Sequence, residues 1–190
     1  MTSEVITKLD AACRQLELAI HLYFEKGDLV AIHTLACAAR EIFEKHCEKS
    51  GCHRLFDDIQ NRHQGIEPKE LWNVLNRARN FFKHPDAQGN LEATIELDQD
   101  DNKLMMFMAA HDCSSLLDAA TPALFKRYIV WVIGTEPFYR EMFPELNPCL
   151  DSHFAGLDRV PEDIQWEIGK MAVTLTMLDG TPAQIGTASP

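Results

Sequence analysis

The chain has 190 residues, enough for one domain with a substantial core, and 46% of them are hydrophobic, an ordinary share for a globular protein. A formal net charge of −11 argues against broad nucleic-acid binding, which rests on basic surface; it leaves room for a small basic pocket and suits a basic partner. No run approaches the ~20 apolar residues of a membrane span, and Met1-Thr2-Ser3-Glu4-Val5 lacks the basic segment and apolar run of a signal peptide, so a cytoplasmic protein without membrane association is expected.

Residues 3–25 predict a first helix, with Ser3 as N-cap and apolar residues from Val5 to Phe24 at helical spacing. Lys26-Gly27-Asp28 breaks it, Gly27 reading as its C-cap and Asp28 as the next N-cap. A second helix over about 29–48 carries the apolar stripe Leu29, Ile32, Ala36, Ala39 and Phe43. Beside that stripe run His33, Cys37, Arg40 and Glu44, spaced 4, 3 and 4. One reading of this row makes His33 a partly buried histidine with one hydrogen bond and pairs Arg40 with Glu44 on the surface. A short helix is expected at 53–61, and Pro68 opens the next one.

The stretch from Leu71 to Pro85 predicts a helix with two faces. Leu71, Leu75, Ala78 and Phe82 share an apolar stripe; Asn73, Arg77, Asn80 and His84 share a polar one, spaced 4, 3 and 4. Arg79 lies roughly 140° from His84 on the same wheel, and Pro85 disfavours α conformation at His84. Arginine stays charged and grips phosphate through two parallel bonds, histidine exchanges a proton near neutral pH, and asparagine orients either. Together they suit cleavage of RNA without a metal, the ribose 2′-hydroxyl attacking phosphorus. A solvated helix face is the plainer reading of the same residues.

Leu91, Ala93, Ile95 and Leu97 alternate with Glu92, Thr94, Glu96 and Asp98, so an irregular acidic segment is expected over 85–102, with a turn at Gly89-Asn90. Asp98-x-Asp100-x-Asn102 starts like a calcium loop, but Lys103 stands where the glycine belongs and Ala109 where the chelating glutamate belongs. Helices follow at 103–120 and, after Thr121-Pro122 as N-cap and N1, at 123–133, the latter apolar on most sides and therefore either central or an oligomer surface. From 149 the composition changes: a loop, a helix over about 161–178, and a small, polar tail at 180–190 expected to be disordered.

The six cysteines form no Cys-x-x-Cys pair. His46, Cys47, Cys52 and His53 have ligand types that suit zinc, yet not the spacing of a standard finger, and no metal or cofactor is assigned. Gly-rich phosphate loops, Gly-x-Ser-x-Gly, His-Glu-x-x-His and Glu-x-x-His are absent from the sequence.

Arg79-Asn80-Phe81-Phe82-Lys83-His84 resembles the Arg-polar-x-x-x-His signature of HEPN domains, small all-helical proteins many of which are metal-independent ribonucleases in toxin–antitoxin, phage-defence and RNA-processing systems. The resemblance implies catalytic roles for Arg79, Asn80 and His84: His84 as acid/base, Arg79 stabilising charge on phosphorus, Asn80 orienting. Arg77 fits the looser arginine-x6-histidine form, and Asn73, His33 and Arg40 become accessory residues. It further implies RNA as substrate, a homodimer that brings two motif helices together, and an antitoxin-like partner protein. A second likeness, over roughly residues 8–120, joins Ala31-Ile32-His33-Thr34-Leu35-Ala36 and Asn80-Phe81-Phe82-Lys83-His84 to a group of bacterial helical proteins of unknown function.

The expected architecture is an all-α helical bundle (1–148) in which the first, second and motif helices pack by their apolar stripes, followed by a C-terminal appendage (149–190) with a peripheral helix. Besides RNA cleavage, two non-catalytic roles fit the same residues: a module binding a protein partner through 123–133, and a small-molecule sensor using the polar stripe.

Overall fold

The computed structural model describes residues 3–84 and 91–178. It is an all-α bundle; no strand occurs among the described residues, and no described helix is long and apolar enough to cross a membrane. In chain order the α-helices are α1 (Lys8–Phe24), α2 (Leu29–Ser50), α3 (Leu55–Arg62), α4 (Pro68–Leu75), α5 (Arg77–Lys83), α6 (Gln99–Leu117), α7 (Ala123–Thr135), α8 (Pro137–Met142), α9 (Asn147–His153) and α10 (Glu162–Leu178).

Local chemistry explains where the boundaries depart from expectation. Thr7, not Ser3, caps α1, because Thr7 and Asp10 close a capping box, which leaves Val5 and Ile6 outside the helix and exposed. At its other end Lys26 takes the positive φ, and Gly27 follows so close to the Leu22 carbonyl that a Cβ would lie 3.1 Å from the oxygen. Lys26 N–H to Tyr23 O and Gly27 N–H to Leu22 O complete a Schellman motif. Asp28 caps α2 through the Ala31 N–H, as expected. Asp98 and Asp101 form a second capping box, so α6 begins at Gln99 and the irregular segment is shorter than predicted; within 91–98 the apolar residues Ala93, Ile95 and Leu97 are half-buried and the alternating Glu92, Thr94, Glu96 and Asp98 exposed. α6 ends at Leu117, a 3₁₀ turn (Asp118–Ala120) follows, and the N-cap of α7 is Pro122 rather than Thr121. Pro85, the Gly89-Asn90 turn and the 180–190 tail lie outside the described residues.

The core is built from α1, α2, α6 and α7. α6 takes the place expected of the motif helix: it buries Met105 to Ala110 and Cys113, whereas α4 and α5 bury only Leu71 and Ala78 of their apolar stripe. α7 is central. Leu124, Phe125, Tyr128, Ile129, Trp131, Val132 and Ile133 are all buried, so of the two places expected for this helix, the core or an oligomer surface, most of its apolar side chains take the first. Beyond residue 148, Leu150, Leu157, Trp166 and Val173 join the same core.

One face of α10 closes over an aromatic cluster of Tyr23, Phe24, Trp131 and Trp166. Trp131 Nε1 donates to Gln165 O at 2.8 Å and Trp166 Nε1 to Phe24 O at 3.2 Å. Gly169 is where the helices touch: a Cβ there would lie 2.7 Å from both Phe24 Cζ and Trp131 Nε1. Gly169→Ala is therefore expected to destabilise the fold by about 1–3 kcal/mol through overpacking, although alanine is the better helix former. Thermal unfolding followed by circular dichroism reads the shift.

Candidate functional site

The predicted motif helix is two helices. Asn76, fully buried, separates α4 from α5 with φ −102° and ψ 8°. Its Nδ2 donates to Trp72 O at 2.8 Å, a carbonyl that also accepts the Asn76 backbone N–H at 3.0 Å, and its Oδ1 accepts from Arg40 Nη2. The Arg40 guanidinium also lies over the Trp72 ring, 5.2 Å from its centroid. Arg40 thus reaches across from α2 and fixes the corner at which α5 leaves α4.

The other members of the α2 row are buried too. His33 is 2% exposed; its Nδ1 meets Asn102 Oδ1 at 2.9 Å, and Asn102 Nδ2 donates to Leu29 O at 3.1 Å, which assigns the proton to His33 Nδ1. Burial holds the imidazole below its usual range, against the pull of the Asn102 bond. The ring stands edge-on to Phe82 of α5 at 5.9 Å, so the two stretches that carry the second likeness meet in space. Cys37 is pushed up to about 11 by burial, with Arg40, Arg79 and Lys83 pulling it back. His33 is thus the buried, singly bonded histidine of the plainer reading, while Arg40 turns to α4 instead of pairing with Glu44 on the surface.

Glu44 lies 3.9 Å from Arg54 Nη1 and near buried Asp112, whose Oδ1 caps α3 through Leu55 N–H at 2.8 Å. Burial pushes Glu44 above the usual carboxylate range; Asp112 and Glu48 add to this, and Arg40 and Arg54 oppose it. A raised folded-state value means that the native protein holds this proton more tightly than the unfolded chain. The associated stability is present at low pH and is lost as pH rises from the ordinary carboxylate range through the folded value. Glu44→Gln mimics the protonated form. Its stability relative to wild type should therefore improve from mildly acidic to mildly alkaline buffer, as read by urea denaturation.

On α5 the polar residues divide between two environments. Arg79 is half-buried and engaged: Nη2 donates to Glu41 Oε1 and Nη1 to Asn80 Oδ1 at 3.1 Å. Lys83 Nζ meets the other Glu41 oxygen at 2.9 Å. Arg77 and His84 are exposed with the half-buried Asn80 between them in sequence, and Asn73 is exposed one helix earlier. Arg77 Nη2 reaches Glu96 O at 3.3 Å, which sets the acidic segment beside α5. His84 leaves helical geometry at φ −126° and ψ 81°, as a following proline requires, and its side chain has no hydrogen bond among the described residues. Sequence reasoning missed Glu41: nothing in the spacing of α2 marks it, because its partners lie 38 and 42 residues away.

No group of three or more metal-ligating side chains converges among the described residues. Cys47 Sγ points inward to Asp112 O at 3.4 Å, and His53 Nε2 pairs with Asp58 at 2.7 Å. Comparison of the chain with protein-family models, with curated proteins and with solved structures finds no match in any of the three.

Proposed function

We propose that the protein cleaves RNA without a metal, at the exposed face of α5. The supporting observation is the division of labour on that helix: Glu41 is occupied by Arg79 and Lys83, while Arg77 and His84 face solvent seven residues apart with Asn80 between them. Seven residues are two helical turns, roughly 10 Å, a span that a long arginine side chain can shorten to meet a phosphate held near the imidazole. His84 takes the proton of the ribose 2′-hydroxyl as that oxygen bonds to phosphorus. The proton returns to the 5′ oxygen as its bond to phosphorus breaks. Arg77 stabilises the negative charge on the non-bridging oxygens, and Arg79 positions the helix from behind. The expected products carry 2′,3′-cyclic phosphate and 5′-hydroxyl ends. In EDTA, end-labelled single-stranded RNA should yield those ends. Intact RNA across several sequences and pH values would overturn the assignment.

A second reading has an observation of its own. The acidic segment 91–98 lies against Arg77 and repels a polyanion. In that case α5 is a strut, and the chain is a non-catalytic module that binds a protein partner or a small ligand.

A further inference from the structure

α10 has two apolar faces, and only one of them is used. Trp166, Gly169 and Val173 face the core. On the other side of the helix Ile164, Met171 and Leu175 are 45%, 63% and 53% exposed, and Ile168, half-buried with part of its side chain packed against the core, lies between them in the row. The spacing 4, 3 and 4 is that of the knobs of a helix–helix seam, and the row is roughly 16 Å long at 1.5 Å per residue.

The charge around the row selects what could cover it. Asp163 and Glu167 are exposed along one flank, and Glu162 is exposed at the start of the helix. The helix has one basic residue, Lys170, whose Nζ is held by Glu25 at 3.1 Å. A second copy fits poorly. Packed α10 on α10, it would add a further −11 of charge and the same acids, with Lys170, held by Glu25, as the helix's one basic residue to meet them. A helix with apolar residues at matching spacing and lysine or arginine on its flank satisfies both the stripe and its rim.

We propose that the outer face of α10, Ile164–Ile168–Met171–Leu175, is a docking stripe for a basic amphipathic helix of a partner protein. This rests on the geometry of α10 alone and stands whether or not α5 cleaves RNA. The test uses the full chain and a fluorescent synthetic peptide with leucines at 4-3-4 spacing and flanking lysines, beside a scrambled peptide of the same composition, read by anisotropy. The patterned peptide should bind, the scrambled one should bind at least about tenfold more weakly, and Met171→Gln/Leu175→Gln should weaken the patterned peptide by a similar factor. Both replaced side chains are exposed, so circular dichroism should show an unchanged fold. Four results would each overturn the proposal: no binding of the patterned peptide; equal binding of both peptides, which means charge alone; self-association of wild type in sedimentation velocity that the double variant loses, which assigns the stripe to a second copy; or binding that appears only after deletion of residues 179–190, which assigns it to the chain's own tail.

Discussion

Arg40→Ala lowers the stability of the fold by about 2–5 kcal/mol in urea denaturation, the range for truncating a large buried side chain. Arg40 is fully buried and has no acid within salt-bridge distance among the described residues; it is held by Asn76 Oδ1 and the Trp72 face. Truncation removes the packed stem, strands a buried amide oxygen that then forfeits its full desolvation energy, and takes from Glu44 one of the two cations that offset its burial. One effect acts the other way: Arg40 Nε and Nη1 have no partner among the described residues, so their desolvation is relieved. Arg40→Met, which keeps the volume, should therefore cost less than Arg40→Ala, and adding Glu44→Gln to Arg40→Met should recover part of the loss. A double variant no more stable than Arg40→Met would show that Glu44 does not depend on Arg40.

Arg77 and Arg79, two residues apart, should separate cleanly. Arg77→Ala is expected to reduce RNA cleavage by about 10²–10³, the usual effect of losing one electrostatic stabiliser, with stability unchanged, because its side chain is exposed and makes one long bond to a carbonyl. Arg79→Ala should lower stability by about 1–2 kcal/mol, between the exposed and buried limits for an ion pair, since it frees Glu41 and Asn80 together. Single-turnover cleavage and urea denaturation of both variants measure the two effects. If Arg79→Ala instead abolishes cleavage at full stability, the guanidinium that meets the phosphate is Arg79.

Much of the bundle was legible because its signals are local. Asp28 opens α2, Pro68 opens α4, and the all-round apolar 123–133 stretch is the helix at the centre. The site was harder to read because its determinants are tertiary. A helical wheel drawn through 71–84 assumes a continuous helix, and asparagine is not a strong enough breaker to contradict it. The break at Asn76 depends on an arginine 36 residues earlier. In the row His33, Cys37, Arg40 and Glu44, spacing suggests a partly buried histidine and a surface Arg40–Glu44 pair, yet each member is at most 3% exposed, since α4, α5 and α6 supply bonding or stacking partners to His33 and Arg40. The spacing of Arg77, Asn80 and His84 was visible from the sequence. That Glu41 occupies Arg79 and leaves Arg77 to solvent was not, because both arginines fit a form of the same motif.

The most direct test is the rate of cleavage of one end-labelled RNA in EDTA by wild type and by His84→Ala, purified side by side. His84 is exposed and its side chain makes no hydrogen bond among the described residues, so the variant should fold as wild type does by circular dichroism. A fall of about 10²–10⁴, the usual contribution of a general acid/base, is the predicted result. Equal rates for the two proteins would contradict it, because the chemistry assigned to α5 has no other proton carrier.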